Sequence, residues 1–386
     1  MSRSKKHSKV ESQAHPANGQ SEENSQGLAD ALTAPWLKNL KAYAVEDTGG
    51  MVKLDAMENP YPFPEPLQEK WLDKLKSAEI NRYPDSNCTV LKDGIRQHLK
   101  LPTEAELLIG NGSDEIIHML CLAFNRPGAR MMSPVPSFAV YPLAAQAVNM
   151  GFIGVPLEPD SFELSIEIFI SSIEEHQPSL IFLASPNNPT GNRFSDQDIR
   201  RICEASNGLV ILDEAYWRFA MSNRIAELFD LDNIVFMHTL SKIGLAGIRL
   251  GALIGRRQWL EPLERVRMPY NVSSLSQVTG CFALEHDTYF NAQVERICAS
   301  REKLLANLQA IKGLRVWPSE TNFLLFRLDS DGGQDAPAVH KALKENGIAI
   351  KNLHGAHPAL NNCLRVSVGT DDENGLFVET LQRVMV

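Results

Sequence analysis

No stretch of this 386-residue sequence approaches the run of about 18 apolar residues that a membrane-spanning helix needs. A membrane protein is therefore not expected. Positive charge is in the minority: 38 Lys and Arg stand against 47 Asp and Glu, a net charge of -9, with no long Lys/Arg run. Neutralising phosphates supplies most nucleic-acid affinity, so no nucleic-acid partner is expected either. Cysteine is sparse. Its six copies, Cys88, Cys121, Cys203, Cys281, Cys298 and Cys363, lie far apart with no Cys-x-x-Cys pair. Zinc ribbons and redox motifs need close spacing, and disulfide scaffolds are short and Cys-dense. Reduced, mostly buried thiols are expected. The N-terminus lacks a secretory apolar core, which makes the cytoplasm the expected location. No internal repeat is visible.

What is present is ordinary for a soluble globular chain: 44% hydrophobic and 22% charged residues. The length allows two or three domains at roughly 150 residues each. Residues 1–27 are polar throughout and predict a disordered extension. From about residue 105 short apolar runs alternate with helix-period segments: 106–110, 180–184, 209–213, 234–238 and 251–255. None alternates strictly, which predicts strands buried on both faces of a mostly parallel sheet in an α/β fold. Between them Ile116, Ile117, Leu120 and Phe124 share a helical face, and Ser195 opens a capping stretch. The last third reads differently: a strand over 321–328, a helix from Ala336 to Asn346, strands at 347–351 and 363–369, and a capping box at Thr370–Glu373 before a final helix. The expected division is an N-terminal arm (28–75) contributing to a small domain, a large domain (76–275) and a small α+β domain (276–386).

Three polar clusters follow predicted strands: Ser185 to Gly191, Asp213-Glu214-Ala215-Tyr216, and His238-Thr239-Leu240-Ser241-Lys242. Ligands in open α/β sheets bind outside the carboxyl ends of the strands. Each cluster has a plain alternative, namely a turn, a helix's first turn, or a solvated lysine. Together at consecutive strand ends, a lysine, an aspartate, a tyrosine and an asparagine suit pyridoxal phosphate, which takes a lysine on its aldehyde and an acid on its ring nitrogen.

The chain here resembles the fold-type I, aspartate-aminotransferase-like pyridoxal-phosphate enzymes, most of all their histidinol-phosphate aminotransferase branch. The likeness runs over about residues 36–386. It is carried by Lys53 to Tyr61, Asn81 to Asp85, Gly110 to Glu115, Ser185 to Gly191, Leu212 to Trp217, Thr239 to Gly251 and Leu364 to Gly369. The resemblance implies that Lys242 carries the cofactor and acts as general base, that Asp213 pairs with the ring nitrogen, and that Asn188 and Tyr216 bond the ring oxygen. Phe138, where many relatives have tyrosine, keeps the aromatic face for stacking. Free N–H groups of Gly112, Ser113 and Asp114 at a helix start suit the phosphate. Ser241 and Arg249 are implied to join them, with Tyr83 reaching in from the partner of a homodimer. A dinucleotide fingerprint would need glycine at 115, where Glu115 stands.

On the substrate side, Arg365 matches the position that grips an α-carboxylate, and a planar fork suits one bidentately. Tyr61, Asn322 and Lys351 would line the same side. The implied reaction is transamination of L-histidinol phosphate with 2-oxoglutarate, giving imidazole acetol phosphate and glutamate in histidine biosynthesis. An aromatic amino acid aminotransferase or a threonine-phosphate decarboxylase would use the same cofactor cradle. A non-catalytic binding module is opposed by the complete set Asn188, Asp213, Tyr216, Lys242 and Arg365. His354 and His357 have no acidic or thiol neighbour in sequence, so no metal is expected.

Overall fold

Fully buried strands send alternate side chains to opposite faces of a sheet, and the apolar runs of this chain do so. The computed structural model describes residues 27–38, 40, 46–329 and 334–385. Apart from Gly27, the expected extension over 1–27 lies outside the described residues. The chain divides into two units, Met1–Tyr43 and Ala44–Val386. In the first, residues 27–32 are helical and Pro35–Leu37 form a 3-10 turn.

The second unit holds every described strand: β1 (Val52–Lys53), β2 (Ala105–Gly110), β3 (Arg130–Val135), β4 (Gly151–Pro156), β5 (Leu180–Ala184), β6 (Leu209–Asp213), β7 (Ile234–Thr239), β8 (Gly251–Arg256), β9 (Leu314–Val316), β10 (Phe323–Leu328), β11 (Ile348–Ala349), β12 (Lys351–Asn352) and β13 (Cys363–Ser367). Seven of them form one sheet in the order β2-β8-β7-β6-β5-β3-β4. Pairing is parallel from β4 through β7, whereas β8 runs antiparallel to both β7 and β2. Ile181, Leu183, Val210, Leu212, Ile234 and Phe236 join the core on one face. Leu180, Phe182, Leu209, Ile211, Val235 and Met237 join Ile116, Ile117 and Leu120 on the other. The smaller antiparallel sheet, β12-β13-β10-β9, has its own core.

Two details depart from the sequence reading. The strand expected over 347–351 is two short ones, because β11 pairs with β1 while β12 pairs with β13. Between them the Ile350 carbonyl accepts from the His340 ring. β3 and β4 were not among the strands read from sequence: Ser133 and Pro134 interrupt β3, and β4, a largely exposed edge, is broken by Gly151, Gly154 and Pro156. The capping box is present, Thr370 accepting from the Glu373 N–H and Glu373 from the Thr370 N–H.

Parallel strands end at one edge, so β5, β6 and β7 deliver the residues after Ala184, Asp213 and Thr239 side by side. Antiparallel β8 starts there, Gly251 lying opposite both Gly110 and Thr239. A Cβ on Gly251 would fall 2.7 Å from the Gly112 carbonyl carbon and from the Ser113 nitrogen. Backbone cannot rotate aside as a side chain does. Gly251→Ala is therefore expected to cost about 1–3 kcal/mol in urea unfolding. Gly247→Ala, which meets nothing within 4 Å, should leave the midpoint nearly unchanged.

Candidate active site

The turn after β5 is fixed before it meets any ligand. Asn187 donates to the Pro136 carbonyl (3.0 Å) and Thr190 Oγ1 (2.7 Å) and accepts from Ser137 Oγ (2.7 Å). That presents Asn188 from a rigid loop. Its Oδ1 accepts from Arg365 at 2.5 Å, which leaves the amide N–H groups as its donors towards the cavity.

Asp213 ends β6 almost fully buried. Tyr141 donates its hydroxyl to Oδ2 at 2.6 Å, and the Ala215 N–H donates to Oδ1 at 3.0 Å. Burial raises this carboxyl from 3.8 to about 6 in spite of both bonds. Tyr141 is wholly buried, and Phe138 packs edge-on against it with ring centres 5.5 Å apart. Sequence reasoning missed Tyr141. The signal was there, since a tyrosine in an apolar helix needs a partner for its hydroxyl.

Lys242 lies in a 3-10 turn directly after β7. Burial lowers its ammonium from 10.5 to about 8, and the neighbouring charge of Arg365 pushes the same way. Its Nζ sits 5.7 Å from the centre of the Tyr216 ring. The Tyr216 hydroxyl donates to Met57 Sδ at 3.3 Å.

Gly112, at φ +85, precedes the helix Ser113–Phe124. The Arg249 guanidinium lies so close that a Cβ on Gly112 would be 2.7 Å from it. Arg249 bonds Asp114 at 2.9 Å, and Ser241 accepts from Thr239 at 2.9 Å. Glu115 accepts from the Asn111 N–H and from Asn271, so it pins this turn to the helix that a dinucleotide site would leave open.

Ser113, Asp114, Phe138, Asn188, Asp213, Tyr216, Ser241, Lys242 and Arg249 all line one cavity of about 230 Å³, together with Glu58. The donor set fits pyridoxal phosphate: helix N–H groups, a hydroxyl and a guanidinium at one end, a buried carboxylate, an amide, an aromatic face and an amine of lowered basicity around the rest. Arg365 borders it through Asn188 and also donates to the Asp55 carbonyl at 2.9 Å. Lys351 stands directly across the ladder from Arg365, on the same face of the small sheet. Asn322 is buried and donates to the Met57 carbonyl at 2.8 Å, with its Oδ1 unbonded. Tyr61 turns aside, its ring beneath the Arg296 guanidinium at 4.1 Å. Tyr83 is exposed and stacks on Tyr270, centres 4.4 Å apart. His354 and His357 each accept a backbone N–H, from Asn362 and Ala359. Among the described residues no group of three or more His, Cys, Asp or Glu could hold a metal, and no helix is long and apolar enough to cross a membrane.

Residues 50–381 match the model of the aminotransferase class I and II family. A histidinol-phosphate aminotransferase 2 of Nitrosococcus oceani is 45% identical over 90% of this chain and 96% of its own length. A histidinol-phosphate aminotransferase of Chromobacterium violaceum is 42% identical over 92% and 98%. Among solved structures, a histidinol-phosphate aminotransferase from Sinorhizobium meliloti in complex with pyridoxal-5'-phosphate superposes with a TM-score of 0.82 at 22% identity, over 92% of this chain and 98% of that one. An L-threonine-O-3-phosphate decarboxylase from Porphyromonas gingivalis reaches 0.73 at 21%, over 86% and 99%. At such identities the structural likeness shows the shared fold. With the family model covering most of the sequence and relatives above 40% identical along nearly their whole length, this chain belongs to the class I and II aminotransferases.

Proposed function

We propose that this enzyme uses pyridoxal phosphate to transaminate L-histidinol phosphate with 2-oxoglutarate, giving imidazole acetol phosphate and glutamate. The observation that carries the substrate reading is the pairing of Arg365 with Lys351 across one ladder beside the cavity. Two cations on one face suit a substrate pair that brings a dicarboxylate in one half-reaction and a phosphate ester in the other. The relatives named above support the same choice.

Bound pyridoxal phosphate supplies a cationic ring that delocalises the electron pair left when a proton leaves the substrate Cα. The chain's residues hold that ring and move the proton. Helix N–H groups from Gly112 to Asp114, Ser241 and Arg249 take the phosphate, and Phe138 supplies a stacking face. Asp213, anionic and braced by Tyr141, holds the ring nitrogen's proton in place. Asn188 and Tyr216 bond the ring oxygen. Lys242 would carry the cofactor and, as a free amine, would hold the substrate's Cα proton at Nζ. With a value near 8, about a tenth of its amine is neutral at pH 7. An ordinary lysine would be neutral in well under a thousandth of molecules.

The same reading makes the enzyme a cytoplasmic homodimer in which Tyr83 reaches the partner's phosphate. The stacked Tyr83 and Tyr270, both exposed, fit a surface that a second copy covers.

Three variants test these assignments. Lys242→Ala should bind pyridoxal phosphate without being fixed to it by borohydride, and should turn over about 10² to 10⁴ slower. Near-normal turnover would refute the role of Lys242. For Asp213 the sign is fixed by its raised value. Protonated below about pH 4 in both states, it costs nothing there. Between pH 4 and 6 the unfolded carboxyl ionises first, so the folded state loses ground as pH rises. The penalty is complete above about pH 6 and amounts to at most roughly 3 kcal/mol. Asp213→Asn should therefore raise the melting temperature of the cofactor-free protein at pH 7.5, with the gain fading by pH 4, and slow proton transfer at saturating cofactor. Lys351→Ala should weaken histidinol phosphate by about 10- to 150-fold, the worth of a charge-assisted bond, and hardly touch phenylalanine. A wild type that prefers phenylalanine, or an equal penalty on both substrates, would replace the histidinol-phosphate reading with an aromatic aminotransferase. A wild type that releases CO2 from threonine phosphate would replace it with the decarboxylase.

A further inference from the structure

Among the contacts of Tyr216, its hydroxyl proton is directed at sulfur. Met57 Sδ accepts it at 3.3 Å. The thioether did not arrive there by loose packing. Met57 has φ +55, a left-handed conformation that few bulky residues adopt. Both of its backbone polar groups are bonded: the N–H donates to Ser367 Oγ at 2.8 Å and the carbonyl accepts from Asn322 Nδ2 at 2.8 Å. Two residues earlier, the Asp55 carbonyl accepts from Arg365. Three residues of the small sheet and the turn before it thus each spend a bond on the 55–57 backbone. The side chain they deliver is buried against Tyr216, whose ring is held edge-on by Phe323 at 5.3 Å.

We infer that Met57 is a positioning residue for the Tyr216 hydroxyl, a competing acceptor that sets how much of its proton reaches the ring oxygen of the cofactor. The inference rests on the reading of the cavity as a pyridoxal-phosphate site. Sulfur is a weak acceptor, so the hydroxyl is held in place without being captured. A bond from Tyr216 to the ring oxygen would draw off negative charge, and so would weaken the hold of the bound group on its titrating proton. More donation lowers the pH at which that proton leaves, and less donation raises it. Met57 sets the balance from outside the reacting atoms.

The measurement is the pH midpoint of the visible absorbance change of the purified holoenzyme, in the absence of substrate. Met57→Leu keeps the volume and removes the acceptor, and should lower the midpoint by about half a unit, the scale of one weak hydrogen bond. Met57→Gln offers a stronger amide oxygen and should raise it. In a Tyr216→Phe background, where there is no proton to share, both substitutions should have no effect. The inference is overturned if Met57→Leu and Met57→Gln leave the midpoint where it was, or if they move it equally with and without the Tyr216 hydroxyl. In either case the wild-type band itself would still support the cofactor site. A wild-type protein with no such band at saturating pyridoxal phosphate would overturn the site and the inference together.

Discussion

A carboxylate buried at the end of a central strand is the constraint around which this site is arranged. Among the described residues the Asp213 carboxylate is bonded by the Tyr141 hydroxyl and one backbone N–H, with no counter-ion. Two neutral donors offset part of the burial penalty, and burial still leaves the carboxyl raised to about 6. Such an acid is poised to receive a cation. A protonated ring nitrogen would both relieve the penalty and be held in its protonated form. Tyr141 adds direction: it fixes which carboxylate oxygen is committed, and the edge-on packing of Phe138 fixes Tyr141. Stacking face, brace and carboxylate therefore form one chain of contacts from a single loop-helix segment to the strand end.

The end of the cavity beside Gly112 is built differently, from closely packed backbone. Gly112 adopts a positive φ and sits against the Arg249 guanidinium, and Gly251 admits the same turn from the other side. Neither position has room for a side chain. Arg249 is meanwhile engaged by Asp114, whose exposed pair is worth little in water. The guanidinium is therefore held at this end of the cavity by a weak tie.

Much of this was legible in sequence, and the reason is geometric. Buried parallel strands announce themselves as unbroken apolar runs, and polar residues that directly follow such runs must gather at one edge. β5, β6 and β7 were readable for that reason, with Asn188, Asp213 and Lys242 at their ends. The brace Tyr141 was not, because its partner is 72 residues away and nothing local marks which tyrosine reaches which acid. β3 and β4 were missed because Ser133 and Pro134 interrupt the first and Gly151, Gly154 and Pro156 punctuate the second. The substrate side was the least legible. Tyr61, Asn322 and Lys351 come from three separate stretches, and the structure gives each a different occupation: beneath Arg296, on the Met57 carbonyl, and opposite Arg365.

That last set shows how the two halves of the enzyme communicate. Arg365 belongs to the small sheet, yet one of its donors rests on Asn188 in the loop after β5 and another on the backbone at Asp55. A substrate carboxylate entering bidentately needs donors from the same guanidinium, and a planar fork has five N–H groups to divide among these claims. The bond from Arg365 fixes the Asn188 amide, so the small sheet and the loop after β5 are joined through one side chain. Lys351, an amine without the fork, can add charge beside Arg365 without competing for Asn188. The two cations therefore differ in how they are held: Arg365 is engaged by Asn188 and by the backbone at Asp55, and Lys351 faces it across the ladder.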